Sequence, residues 1–131
     1  MEVISNEDLY RLFLDLNEQA KSLLSEPEKA IEMLAKAEGA LQDNAVLRDA
    51  EQGIPELLAF AKSCVHGEYK EAADSSVIAV LSAFLYFTER DDAIHDSIPV
   101  IGYLDDLTIF GFAREAAKED LAGYTESRTW N

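Results

Sequence analysis

The chain has 131 residues, enough to bury a core, and its composition (48% hydrophobic, 28% charged, three prolines, six glycines) is that of a globular protein. Charge is the anomaly, with 26 Asp and Glu against 11 Lys and Arg for a formal net charge of -15. That balance disfavours nucleic-acid phosphates and anionic lipid head groups as partners, and favours basic proteins and divalent cations.

The opening MEVISNEDLY lacks the basic and apolar regions of a secretory leader, which points to the cytoplasm of a bacterial-type protein. Ser5 or Asn6 is placed to cap a first helix. Leu9, Leu12, Phe13, Leu16, Ala20, Leu23 and Leu24 then recur at helical spacing. Ser25-Glu26-Pro27 reads as a stop and a new start, since proline is tolerated in a first turn. Ala30, Ile31, Leu34, Ala37 and Leu41 form the next stripe, so the two segments predict a helical hairpin with a very short turn.

A third helical stretch covers residues 45–65, with a kink or break at Gly53-Ile54-Pro55, and His66-Gly67 closes it. Within it, Cys64 is the only cysteine, so no intrachain disulfide can form, as suits a reducing compartment. No basic cluster surrounds Cys64, so its expected place is in the core. His66, at a helix carbonyl end, is expected to cap it.

A fourth helix is predicted over residues 68–89. Its second half, VIAVLSAFLYF at 77–87, is apolar all round, which belongs in the middle of a bundle. At 11 residues it is far short of the roughly 20 that span a bilayer. The later run 98–112 is broken by Pro99, Gly102, Asp105, Asp106 and Gly111, so membrane insertion is disfavoured. A loop is expected over 90–102, then a last helix over 103–124. That helix carries Tyr103, Leu107, Phe110, Ala117, Leu121 and Tyr124 on one face, with Arg114 interrupting the stripe. Residues 125–131 read as a frayed tail.

No period-2 alternation or hairpin turn signal appears. The expectation is an all-α single domain over 1–131: a compact bundle of about five helices ending in a helical hairpin joined by an Asp-rich loop. Residues 1–66 supply the N-terminal helices and 67–126 the hairpin.

The loop region ERDDAIHDSIPVIGYLDD, residues 89–106, holds Glu89, Asp91, Asp92, Asp96, Asp105 and Asp106, interleaved with Ile94, Ile98, Val100, Ile101 and Leu104. Asp92, Asp96, Asp105 and Asp106 are candidate oxygen ligands for a hard divalent cation such as Mg or Ca. Their alternative use is structural. Asp105 and Asp106 would cap orphan amides in the first turn of the last helix, and Asp92 and Asp96 would cap loop turns. Glu89, Asp91, Asp92 and Asp96 are the candidate contacts for a basic partner.

This region resembles the YkvA family (domain of unknown function 1232), small helical domains of many bacteria that are also appended to some eukaryotic ubiquitin ligases. The family motif runs Ser-Pro-Ile-Asp-Leu-Ile-Pro-Asp, one residue, then Ile-Pro-Val-Ile-Gly-Tyr-Leu-Asp-Asp. Residues 98–106 match its second part throughout, and Asp92, Ile94 and Asp96 match in the first. Glu89, Arg90 and His95 replace the motif's serine and two prolines. The resemblance, over about residues 77–115, implies a helical hairpin and transfers no established activity. It also implies a suspected membrane association, which the lost prolines and added charges weaken.

Phosphate-cradling Gly-rich loops, His-Glu-x-x-His, Cys-x-x-Cys, Gly-x-Ser-x-Gly and paired Glu-x-x-His motifs are all missing from the sequence. An enzyme is therefore the less favoured class. The sequence points first to a non-catalytic acidic interaction protein docking on a basic protein, as immunity proteins, antitoxins and inhibitors do. The alternative is a divalent-metal-binding domain, extending to a metal-dependent hydrolase. A homodimer or partner groove would be signalled by exposure of Phe84, Tyr86, Phe110 or Phe112.

Overall fold

A computed structural model describes the backbone of residues 6–93 and 101–129 and the side chains of 6–89 and 105–127. The architecture is all-α: α1 (Asn6–Leu24), α2 (Pro27–Gln42), α3 (Ala45–Arg48), α4 (Ile54–Val65), α5 (Asp74–Ala93) and α6 (Ile101–Thr129). Among the described residues there is no strand.

α1 and α2 follow the apolar spacing. α1 buries Leu9, Phe13, Leu16 and Ala20, and α2 buries Ala30, Leu34, Ala37 and Leu41. Ser25 and Glu26 alone join them, and Pro27 sits in the first turn of α2, where its missing N–H loses no bond. Leu12 departs from the expected stripe and is exposed. The predicted cap on α1 falls partly on Ser5, which lies outside the described residues.

The interrupted third stretch is two helices. Asn44 caps α3 by accepting from the Leu47 N–H at 3.1 Å. Gly53 then takes a left-handed φ of 66° as the residue before α4, a conformation that costs an L side chain about 1–2 kcal/mol. At the other end of α4, Gly67 (φ 78°) follows the cap residue His66. Glu68 N–H returns to the Ser63 carbonyl at 2.9 Å and Gly67 N–H to that of Cys64 at 3.2 Å. This paired closure satisfies the carbonyls that a helix end leaves open.

The fourth helix starts later than its sequence suggests, at Asp74 instead of residue 68. The chain between packs Tyr69 edge-on to Tyr124, with ring centres 5.3 Å apart, and tilted against Phe60 at 6.2 Å. α5 is the central helix, in contact with α1, α2, α4 and α6. Val77, Ala79 through Phe84, Tyr86, Phe87 and Thr88 are all buried. α6 returns antiparallel to α5: Ser76 meets Asp120, and further along Phe84 and Phe87 meet Phe110.

α6 also runs to Thr129, so most of the expected frayed tail is helical, while Trp130 lies outside the described residues. No helix among the described residues is long and apolar enough to cross a membrane.

Candidate functional site

The Asp-rich region lies where α5 gives way to α6, and its helices reach further into it than expected. α5 continues through Asp91 and Asp92 to Ala93, and α6 begins at Ile101. The physical reason is local. With Arg90 where the family motif has a proline, no pyrrolidine ring blocks the last turn of α5.

This overturns two structural expectations. Asp92 is a helical position instead of a loop-turn cap. Asp105 and Asp106 sit a full turn inside α6, whose first turn holds no acid, so neither caps its opening amides. Asp106 is instead buried, 5% exposed, and Asp105 is half-buried. Glu89 is exposed near the end of α5. Asp96 and His95 lie outside the described residues, as do the side chains of Asp91 and Asp92, so the structure places only Asp105 and Asp106 of the four candidate ligands. Among the described residues, no group of three or more His, Cys, Asp or Glu side chains is arranged to hold a metal ion.

The end of α5 is electrostatically unusual. Helix carbonyl ends carry partial negative charge and favour Lys, Arg or His. Here the sequence places Glu89, Asp91 and Asp92 together with Arg90 in the last turns of α5. That order of residues runs against local propensity.

Elsewhere the side chains serve the fold. Arg114, which interrupts the apolar stripe of α6, reaches α4. Its Nη1 donates to the Gln52 carbonyl and its Nη2 to Glu56, each at 3.1 Å. Asp120 accepts from the Ala73 N–H at 3.1 Å and from the Ser76 hydroxyl at 2.5 Å, supplying the start of α5 with a cap from another helix. Sequence reasoning assigned neither role, because both partners are distant in the chain.

Lys62 pairs with Glu38 at 3.1 Å, joining α4 to α2. A cleft of about 580 Å3 is lined by Lys62, Ser63, His66, Tyr69, Tyr124 and Ser127 among others. Its hydroxyls turn inward, with Ser63 and Tyr124 bonded to each other at 3.0 Å and Tyr124 donating to the Ala59 carbonyl at 3.3 Å.

Cys64 packs against the core, as expected. Burial, with Asp120 adding repulsion, pushes its thiol up from 9.0 to about 11. The neutral thiol is therefore the resident form, which is the opposite of an activated nucleophile.

Of the four aromatics named as signals of an exposed groove, Phe84, Tyr86 and Phe110 are buried and Phe112 is half-buried. Phe112 instead meets Tyr10 of α1 edge-on, with ring centres 5.1 Å apart.

A helical bundle wrapped around one apolar helix, with an acid-rich α5–α6 hairpin, defines the class. Residues 76–112 match a family model described as protein of unknown function (DUF1232), in agreement with the resemblance carried by the motif. The match spans α5 from Ser76 and the first part of α6. Neither the comparison with curated proteins nor that with solved structures found a match.

Proposed function

We propose that this chain is a non-catalytic, acidic helical interaction protein of the cytoplasm that docks on a basic protein, in the manner of an immunity protein, antitoxin or inhibitor. The observation that carries this reading is the breadth of the acidic surface. Exposed carboxylates stand on α1 (Glu7, Glu18), α2 (Glu28, Glu32), the α3–α4 turn (Glu51) and α6 (Glu119). Lys62 and Arg114 meanwhile tie helices together. A metal needs a convergent cluster, whereas a protein partner is steered by a field spread over a face.

Affinity purification of the full chain from its source organism is the test. A basic protein recovered in fixed proportion at physiological salt and released by about 0.5 M salt, where screening shortens charge attraction to a few Å, is the expected result. Recovery of neutral partners that survive high salt, or of none, overturns the reading.

A divalent cation at the α5–α6 hairpin, where the sequence gathers Asp92, Asp96, Asp105 and Asp106, is the second reading. Carboxylate oxygens of this kind are the ligands that Mg or Ca takes. A rise in thermal midpoint with Mg²⁺ or Ca²⁺ that disappears in the Asp105→Asn, Asp106→Asn double variant is expected. An unchanged midpoint with either ion removes this reading.

A further inference from the structure

The outward face of α1 breaks the rule that an amphipathic helix turns its large apolar groups inward. Tyr10 is 47% exposed and Leu14 is 44% exposed, and four residues apart they are neighbours on one face. The Tyr10 ring is held in place, edge-on to Phe112 at 5.1 Å and tilted against Phe13 at 6.1 Å. An exposed aromatic already fixed by its neighbours loses little freedom when a partner covers it, which is the property of an interface anchor.

Charge surrounds this apolar strip. Glu7 lies one turn before Tyr10 and Glu18 one turn after Leu14, with exposed Asp15 beside them. On α6, Glu115 and Glu119 follow Phe112 at helical spacing, and both are exposed. Arg11 and Lys21 are the exposed cations of α1, and Lys118 is engaged with Glu115 at 2.9 Å. The rim is acidic in sum.

From this placement we infer that Tyr10, Leu14 and Phe112 are the seat for one amphipathic, Lys- or Arg-rich helix of a protein partner. Its apolar residues cover Tyr10 and Leu14, and its basic residues reach Glu7, Asp15, Glu18 and Glu119. The four-residue spacing of the two α1 anchors matches the spacing at which a partner helix presents its own apolar face. A second copy of the chain is the poorer occupant, because it would set one acidic rim against another in a molecule of formal charge -15. This inference rests on the acidic-docking reading and localises it.

The test uses the full chain and two synthetic probes of equal charge: a Leu/Lys amphipathic helical peptide of about 14 residues, four turns long, and oligolysine. Fluorescence anisotropy at low salt is expected to show the amphipathic peptide binding about tenfold more tightly than oligolysine. Leu14→Ser and Tyr10→Ser should each remove most of that margin, while Val46→Ser, which alters an exposed apolar residue on α3, should leave it intact. Circular dichroism confirms that each variant keeps its helix content. Equal binding of the two probes, or an equal loss in Val46→Ser, sinks the seat and leaves acidic docking standing. Failure of both probes to bind sinks the seat and the docking reading together.

Discussion

The guanidinium of Arg114 on α6 closes over Gly53 in the turn before α4. Arg114 Nη1 lies 2.8 Å from where a β-carbon on Gly53 would stand, while it donates to the Gln52 carbonyl at 3.1 Å. Two independent reasons therefore fix glycine at position 53: a φ of 66° and the guanidinium itself.

Gly53→Ala should cost about 2 kcal/mol, combining the left-handed backbone with displacement of the clamp. Arg114→Ala should cost about 1 kcal/mol, since its pair with Glu56 is partly exposed and screened. Urea melts of both variants and the double variant check the coupling. Gly53→Ala should cost less when Arg114 is already replaced by alanine, because only the backbone strain is left. An identical cost in both backgrounds would show that the close approach has no energetic consequence.

Asp120 performs for α5 what a local cap performs elsewhere. Removing its carboxylate with Asp120→Ala leaves the Ala73 N–H and the Ser76 hydroxyl without their acceptor, at an expected cost of about 1–2 kcal/mol. Asp120→Asn keeps an acceptor oxygen and should cost about half as much. Hydrogen exchange at residues 74–77 should quicken in Asp120→Ala before the rest of α5 is affected. Uniform quickening along α5 would assign Asp120 a global role instead of a capping one.

That cap also explains where the sequence was legible and where it was not. The apolar run 77–87 announced a central helix, and α5 is buried nearly all round. The stripes of α1 and α2 announced their buried faces, because helical spacing is a local property. The start of α5 was missed because its acceptor lies 47 residues from Ala73 in sequence. Arg114 looked like a fault in a stripe because its partners, Gln52 and Glu56, are on another element. Asp105 and Asp106 were assigned to a first turn because the loop was expected to run through residue 102, yet α6 accepts Gly102 and begins at Ile101. Tyr10 and Leu14 fall off the apolar stripe of α1 and are exposed, and periodicity, which places residues on faces, does not say what covers that face.

The Cys64 thiol gives a pH prediction whose sign is fixed by its direction. The folded value, about 11, lies above the ordinary 9.0, so the neutral thiol is favoured by folding. Stability from this group is full below pH 9 and is lost as pH rises from about 9 through about 11. At pH 8 the native thiolate population should be about a hundredfold below that of an unfolded cysteine, and alkylation by iodoacetamide should slow accordingly. Urea should restore the ordinary rate. A native rate equal to the unfolded one would contradict the burial of Cys64, and Cys64→Ser should flatten any loss of stability between pH 9 and 11 assigned to it.

Ser82 tests how α1 is fastened to the central helix. Its side chain is fully buried, and its hydroxyl oxygen lies 2.6 Å from Asn17 Oδ1 and 2.8 Å from the Ile78 carbonyl. Ser82→Ala removes the only polar atom of that side chain but leaves half-buried Asn17 able to turn to water, so the expected cost is about 1 kcal/mol. Ser82→Leu inserts volume where α5 meets α1, and overpacking of this kind costs about 1–3 kcal/mol. Because Tyr10 and Leu14 share α1 with Asn17, Ser82→Leu should also weaken binding of the amphipathic Leu/Lys peptide, while Ser82→Ala should not. Urea melts and the anisotropy assay read the two effects separately. A Ser82→Leu variant as stable as the parent would mean that α1 is free to move off α5, which the buried Ser82–Asn17 contact opposes.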